Sequence, residues 1–271
     1  MVEITITKFL LPVVAAFVLA TRYFSNKEKS EQGDVEKPMF GSGKMFDKFA
    51  EYYDIGNRFM SLGQDQRWRQ GLLRDAEVSE MDSLLDLATG SADVAIAARV
   101  NFKVRSIVGL DPSVNMLKVA RAKIESLKLS HIELVEGDAQ AMPQFTSGRF
   151  DKITMSFGIR NVPDRLKALK EMRRVIAPKD SSRLAIMEFS APPEQSVLGK
   201  AAKLFVRHVV PLIGGLITSA TDEYRYLEDS IFKFPQPREF EAIVEEAGFE
   251  MVRTTSYAAV VVNIYIAKPR L

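Results

Sequence analysis

The chain has 271 residues, 46% of them apolar and 27% charged, enough for one large α/β domain with appendages and too apolar for global disorder. Lys and Arg number 37 against 35 acids, a formal charge of +2, which argues against a nucleic-acid partner held by bulk electrostatics. There is no Cys, and His131 and His208 are the only histidines, so disulfides, thiolate metal sites, Cys nucleophiles and His-rich metal sites are excluded.

Phe9 to Ala20 is an unbroken apolar run, FLLPVVAAFVLA. It is shorter than the about 20 residues of a spanning helix, and Pro12 interrupts it. Residues 1–21 leave three readings open: a membrane anchor, a cleaved targeting segment, or an ordinary first helix. Residues 22–44 are charged and carry Gly33, Pro38, Gly41 and Gly43, the composition of a solvated linker.

From residue 45 to 271 the pattern predicts a single domain. Ser83–Leu87 is a short apolar strand that ends beside Asp86 in a turn of small residues, Ala88-Thr89-Gly90-Ser91-Ala92. A helix follows over 93–100. A second strand, 106–110, ends at Asp111, and Pro112-Ser113 opens a helix to about 127 with Met116, Leu117, Ala120 and Ile124 on one face. A third strand, 132–135, ends at Gly137-Asp138-Ala139, and a fourth spans 150–157. An amphipathic helix over 164–176 turns Leu166, Leu169, Met172, Val175 and Ile176 inward, and a fifth strand covers 184–189. This alternation predicts a mostly parallel sheet with helices on both faces. Residues 197–220 are apolar, and the stretch 190–235 reads as a buried helix pair or as a hydrophobic lid over the site. A helix over 237–247 then ends at Gly248. Two strand-like runs, 249–255 and 258–267, lie too close together to be anything but antiparallel.

Ligands of open parallel sheets bind beyond the carboxyl ends of the strands. Asp86, Asp111 and Asp138 lie at three successive ends, and an acid there accepts hydrogen bonds from ribose hydroxyls. One such acid is more often a helix cap; three in a row favour a nucleoside site. The first turn holds one Gly, Gly90, too few for a dinucleotide pyrophosphate, and no phosphate-binding GxxxxGK[ST] occurs. A nucleoside cofactor without phosphates fits better, which points to S-adenosylmethionine.

The segments YYDIGNRFMSLGQDQRWR (52–69), LDLATGSADVA (85–95), GLDPSVNML (109–117), VEGDAQAMP (135–143), FDKITMSFGIRNVPDRLKALKEMRRVI (150–176), EFS (188–190), DEYRYLEDSI (222–231) and AGFE (247–250) resemble the ubiquinone/menaquinone C-methyltransferase family. The resemblance implies a class I S-adenosylmethionine-dependent methyltransferase fold, Rossmann-like, with a seven-stranded sheet and one antiparallel C-terminal strand. It implies carbon methylation of a polyprenylated benzoquinol, with naphthoquinol the close alternative. Carried across by position, it assigns Asp86, Gly90, Ser91, Asp111, Asp138, Ala139 and Ser156 to the cofactor. Asp111 falls on the ribose and Asp138-Ala139 at the adenine. Arg160 is the candidate that stabilises the ionised ring hydroxyl, because an arginine stays protonated and makes a poor literal base. Asn161 is a candidate to orient water or a ring oxygen, and Tyr53 and Asn57 to close the pocket over the ring. Taken alone, Arg160 reads as a surface salt bridge, and Tyr53 and Asn57 as packing or capping residues.

Two positions depart from the family. Ala92 stands where it usually has Gly, and Pro178-Lys179-Asp180-Ser181-Ser182 replaces a Pro-Gly-Gly turn, away from the site. Quinone chemistry together with the N-terminal segment implies contact with a membrane surface, at the mitochondrial inner membrane or in a plastid. A homodimer, a quinone-biosynthesis complex and a non-catalytic member of such a complex complete the expectations.

Overall fold

Short apolar runs bounded by acids and small residues make strands here, and runs with helical spacing make the layers that cover them. The structure is a computed structural model and describes residues 58, 61, 63–191, 229–257 and 261–271. The N-terminal segment 1–21, the linker 22–44 and most of the stretch 190–235 lie outside the described residues.

In chain order the described elements are α1 (Asp65–Asp75), β1 (Ser83–Leu87), α2 (Asp93–Asn101), β2 (Ser106–Asp111), α3 (Val114–Ser126), β3 (Ile132–Glu136), β4 (Lys152–Ser156), a 3-10 turn (Ile159–Asn161), α4 (Arg165–Val175), β5 (Arg183–Phe189), α5 (Pro237–Glu246), β6 (Phe249–Tyr257) and β7 (Val262–Pro269). They form one seven-stranded sheet in the order β3-β2-β1-β4-β5-β7-β6. β1 to β5 pair in parallel, while β7 runs antiparallel to both β5 and β6. The strand order reverses between β1 and β4, whose registers match Leu87 with Met155. Their carboxyl ends open the crevice where such sheets bind ligands.

β1, β2, β4, β5 and β7 are buried almost throughout, as a sheet covered on both faces requires. Alternate residues serve opposite layers. Leu85, Leu87, Val108 and Leu110 pack with Leu169 and Met172 of α4 and Phe240 of α5. Leu84 and Ile107 pack with Leu72 of α1, Ala95 of α2 and Ile124 of α3. Each leucine fully buried this way contributes about 1.5–3 kcal/mol.

Helix starts follow local chemistry. The Ser113 hydroxyl accepts the Met116 N–H at 3.1 Å, and the Asp164 carboxylate accepts the Lys167 N–H at 2.9 Å. Pro112 lies just before the Ser113 cap rather than inside the helix. The inward face predicted for α3 (Met116, Leu117, Ala120, Ile124) is its buried face. The Pro178 to Ser182 turn precedes β5 and lies at the amino ends of the strands, away from the crevice.

Candidate functional site

The turn after β1 alternates in handedness. Ala88, Gly90 and Ala92 have φ of 48°, 57° and 66°, while Thr89 and Ser91 between them stay in the ordinary region. The amides of this turn are spent on holding it: Thr89 N–H donates to Leu110 O at 3.1 Å, Gly90 N–H to Asp111 at 2.8 Å and Ala92 N–H to Thr89 O at 2.9 Å. Only Gly adopts positive φ freely, so Ala88 and Ala92 are held there by their surroundings. The Ala92 methyl is fully buried in the layer that holds Leu84, Val94 and Ala95. It therefore fills core space and does not project into the crevice.

Three carboxylates hold this turn. Asp86 is 1% exposed and accepts the hydroxyls of Thr89 at 2.6 Å and Thr154 at 2.8 Å. Burial pushes its carboxyl up to about 6, against the two hydroxyl bonds and the Arg69 charge that pull it down. Asp111, the last residue of β2, accepts the Gly90 N–H on Oδ2 at 2.8 Å and the Ser113 N–H on Oδ1 at 2.9 Å. Asp93 accepts Lys123 Nζ at 2.5 Å, and Lys123 reaches the Ser91 hydroxyl at 3.2 Å. Burial alone would raise the Asp93 carboxyl; Arg69 and Lys123 override it and hold it below the usual range. Arg69 in turn pairs with Asp65 at 2.7 Å, so α1 is tied by buried charges to the turn.

Beyond β3, the Asp138 carboxylate is exposed and accepts the Gln140 N–H at 2.8 Å, while Ala139 is buried beside it. At the end of β4, the Ser156 hydroxyl oxygen is buried and has no hydrogen-bond partner. The structure thus gathers Gly90, Ser91, Asp111, Asp138, Ala139 and Ser156 at neighbouring carboxyl ends of the sheet. Asp86 stands behind the turn, both oxygens engaged by threonines.

Phe157 leaves β4 with φ of 57°, a costly conformation for a bulky residue. Its N–H donates to Met187 O at 2.7 Å and its ring stacks on Phe189 at 4.4 Å, which holds it there. Gly158 then approaches the cofactor turn so closely that a Cβ would lie 2.6 Å from the Ala88 Cβ. Arg160, two residues on, is 9% exposed. Its Nη1 donates to Glu188 Oε1 at 2.8 Å and to Phe157 O at 2.7 Å. Its guanidinium lies 5.6 Å from the Phe189 ring centre, and its Nε is buried without a partner. The surface salt bridge that Arg160 suggests in isolation is thus a buried one. Asn161 closes the same turn, its N–H donating to Gly158 O at 3.0 Å. Tyr53 and Asn57 lie outside the described residues.

Sequence reasoning did not single out Thr89, Thr154, Lys123 or Glu188 as parts of the site. Glu188 stood in the EFS segment, but its partner Arg160 lies 28 residues away. Nothing in sequence pairs Thr154 with Asp86, 68 residues apart.

The sheet order, the reversed β7 and an acid-lined crevice beside a small-residue turn define a class I S-adenosylmethionine-dependent methyltransferase. A solved S-adenosylmethionine-dependent methyltransferase from Aquifex aeolicus shares this fold, with a TM-score of 0.52 at 19% identity over 73% of this chain and 88% of that one. The chain belongs to the ubiE/COQ5 methyltransferase family, whose model matches residues 34–268. It is 39% identical to the demethylmenaquinone methyltransferase of Thermus thermophilus over 76% of this chain and 92% of that protein. It is 37% identical to the ubiquinone/menaquinone biosynthesis C-methyltransferase UbiE of Syntrophotalea carbinolica over 82% of this chain and 91% of that protein. The residues fit the cofactor: a tight small-residue turn pinned by the acid at the end of β2, an exposed acid beside a buried alanine, and an orphaned serine hydroxyl.

The expected mitochondrial or plastid membrane address is overturned. These relatives are bacterial, and bacteria hold neither compartment.

Proposed function

We propose that this chain methylates a ring carbon of a polyprenylated quinol and that Arg160 steadies the ionised ring hydroxyl during transfer. One observation carries the reading. A buried arginine with an unengaged Nε sits two residues beyond the glycine that packs on the cofactor turn. When bound, the cofactor supplies a methyl group already activated by its sulfonium.

The chain's own residues have the remaining work. A phenolic hydroxyl ordinarily titrates near 10, so the quinol needs help to ionise at neutral pH. The Arg160 guanidinium, held by Glu188 and Phe157 O with the Phe189 ring 5.6 Å away, offers a fixed donor in a site of low dielectric, where it counts for more than in water. The hydroxyl proton leaves to water; as the carbon–carbon bond forms, the methyl–sulfur bond breaks and the sulfur departs as a neutral thioether, and the ring proton then follows to water. Asp111, Asp138 and Ser156 would hold the cofactor at the carboxyl ends of β2, β3 and β4, beside the Arg160 turn. Benzoquinol is the first acceptor we assign. The name of the Thermus thermophilus relative favours naphthoquinol as the second.

Arg160→Lys keeps the charge and loses the planar fork. We expect turnover to fall by about tenfold to a hundredfold while the calorimetric affinity for S-adenosylmethionine is unchanged. A collapse of cofactor affinity with turnover preserved at saturation would make Arg160 a cofactor residue.

A further inference from the structure

Glu188 is fully buried on β5, and one carboxylate of this residue holds Arg160 twice. Its Oε1 accepts Arg160 Nη1 at 2.8 Å and the Phe189 N–H at 2.8 Å. Its Oε2 accepts the backbone N–H of Arg160 at 3.1 Å. The main chain and side chain of the arginine therefore hang from the same anchor. Nη1 is further fixed by Phe157 O at 2.7 Å, a carbonyl whose direction depends on the left-handed Phe157. With Nη1 committed inward and a ring beneath, the guanidinium has little rotational freedom, and Nε is left as a buried unpartnered donor.

We propose that Glu188 is a positioning residue for the methyl acceptor, acting through Arg160 in two ways. It fixes the fork so that the free edge is presented in one orientation. It also balances the guanidinium charge, so that an acceptor oxygen is stabilised by direct contact with that edge and not by a broad positive field. The inference rests on the reading of Arg160 given above.

The charged and titratable groups around this pair come from several elements. Arg160 faces Glu188 from the 3-10 turn. Tyr265 faces it from β7, and burial together with the Glu188 charge holds the Tyr265 proton more tightly than usual. Arg165 of α4 donates to Arg160 O at 3.3 Å. The β7 register partner of Glu188 is the neutral Asn263, which donates to Ser190.

The test is the pH dependence of single-turnover methyl transfer, at saturating S-adenosylmethionine and short-tailed quinol, in Glu188→Gln, Glu188→Asp and Arg160→Gln. Gln removes the balancing charge and loosens the fork. Its acid limb should move to lower pH by about one pH unit, as a newly exposed cation favours the quinolate, and its plateau rate should fall about tenfold. Asp keeps the charge and withdraws it by one methylene, so the plateau should fall about tenfold with the limb in place. A structural anchor alone would move neither limb, and its losses would follow the folded fraction, read as cofactor-binding stoichiometry. An unmoved limb in a folded Glu188→Gln overturns the proposal. If that variant does not fold, an unchanged plateau in Glu188→Asp overturns it. Arg160→Gln separates the two readings. If its rate and limb match the parent, the role of Arg160 fails and this inference with it. If they change while folded Glu188→Gln behaves as the parent, only the inference fails.

Discussion

At Asp111, Oδ2 accepts the Gly90 N–H and Oδ1 accepts the Ser113 N–H, so the side chain shapes the turn after β1. The contact we propose for it with the cofactor ribose is a second role. Asp111→Ala should weaken S-adenosylmethionine binding by about 1.5–3 kcal/mol, the scale of a hydrogen bond to a charged group; calorimetry showing equal affinity would refute the ribose role. Residue identities placed this acid at a strand end; one such acid is more often a cap, and it was the run of three that pointed to a site. The identities did not announce the backbone at Ala92. A family glycine replaced by alanine leaves φ open in the sequence, and only the fold shows 66° with the methyl taken up by the core. Nor does sequence reveal that Asp86 spends both oxygens on Thr89 and Thr154, since one of those partners is distant in the chain.

The elements that build the site are β1 with its turn, and β4 with the 3-10 turn behind it. They meet because β1 and β4 are parallel neighbours and because Gly158 has no side chain. Gly158→Ala would put a methyl 2.6 Å from the Ala88 Cβ, inside any tolerable contact. One of the two turns must move. We expect a loss of about 1–3 kcal/mol in urea unfolding together with weaker cofactor binding; parent-like values for both would show that the turns do not depend on this contact. The strands were legible as short apolar runs and α3 from its 3.6-residue period, down to its buried face, whereas α1 was not singled out. The Glu188–Arg160 pair was not, because a buried ion pair between two elements leaves no periodic signal.

For the molecule as a whole, buried Asp86 gives stability an unusual dependence on pH. Its carboxyl stands at about 6 in the folded chain against an ordinary 3.8, so between those values the folded state binds more protons than the unfolded state. That contribution is complete below 3.8, is lost as pH rises through about 6, and amounts to about 3 kcal/mol. Asp93 and Glu171, held below the usual range, act in the opposite sense and lose their contribution on acidification. Asp86→Asn isolates the first effect. Its stability relative to the parent should rise by about 2 kcal/mol between pH 4 and pH 7, and a pH-independent difference would contradict the burial argument. At this scale the doubly covered sheet was legible from the alternation of elements, and the antiparallel end from the spacing of its last two strands. The cellular address was not, because an apolar run of 12 residues fits several fates and its reading depended on the chemistry assigned to the domain. The most direct test of the account is transfer of labelled methyl from S-adenosylmethionine to reduced, short-tailed demethylated benzoquinol and naphthoquinol by the full chain, with the product located by mass and ring position. We expect one new methyl on a ring carbon, with benzoquinol as the better acceptor; a preference for naphthoquinol would move the assignment to the second acceptor. Cofactor bound at full stoichiometry with no methyl on either ring would contradict it.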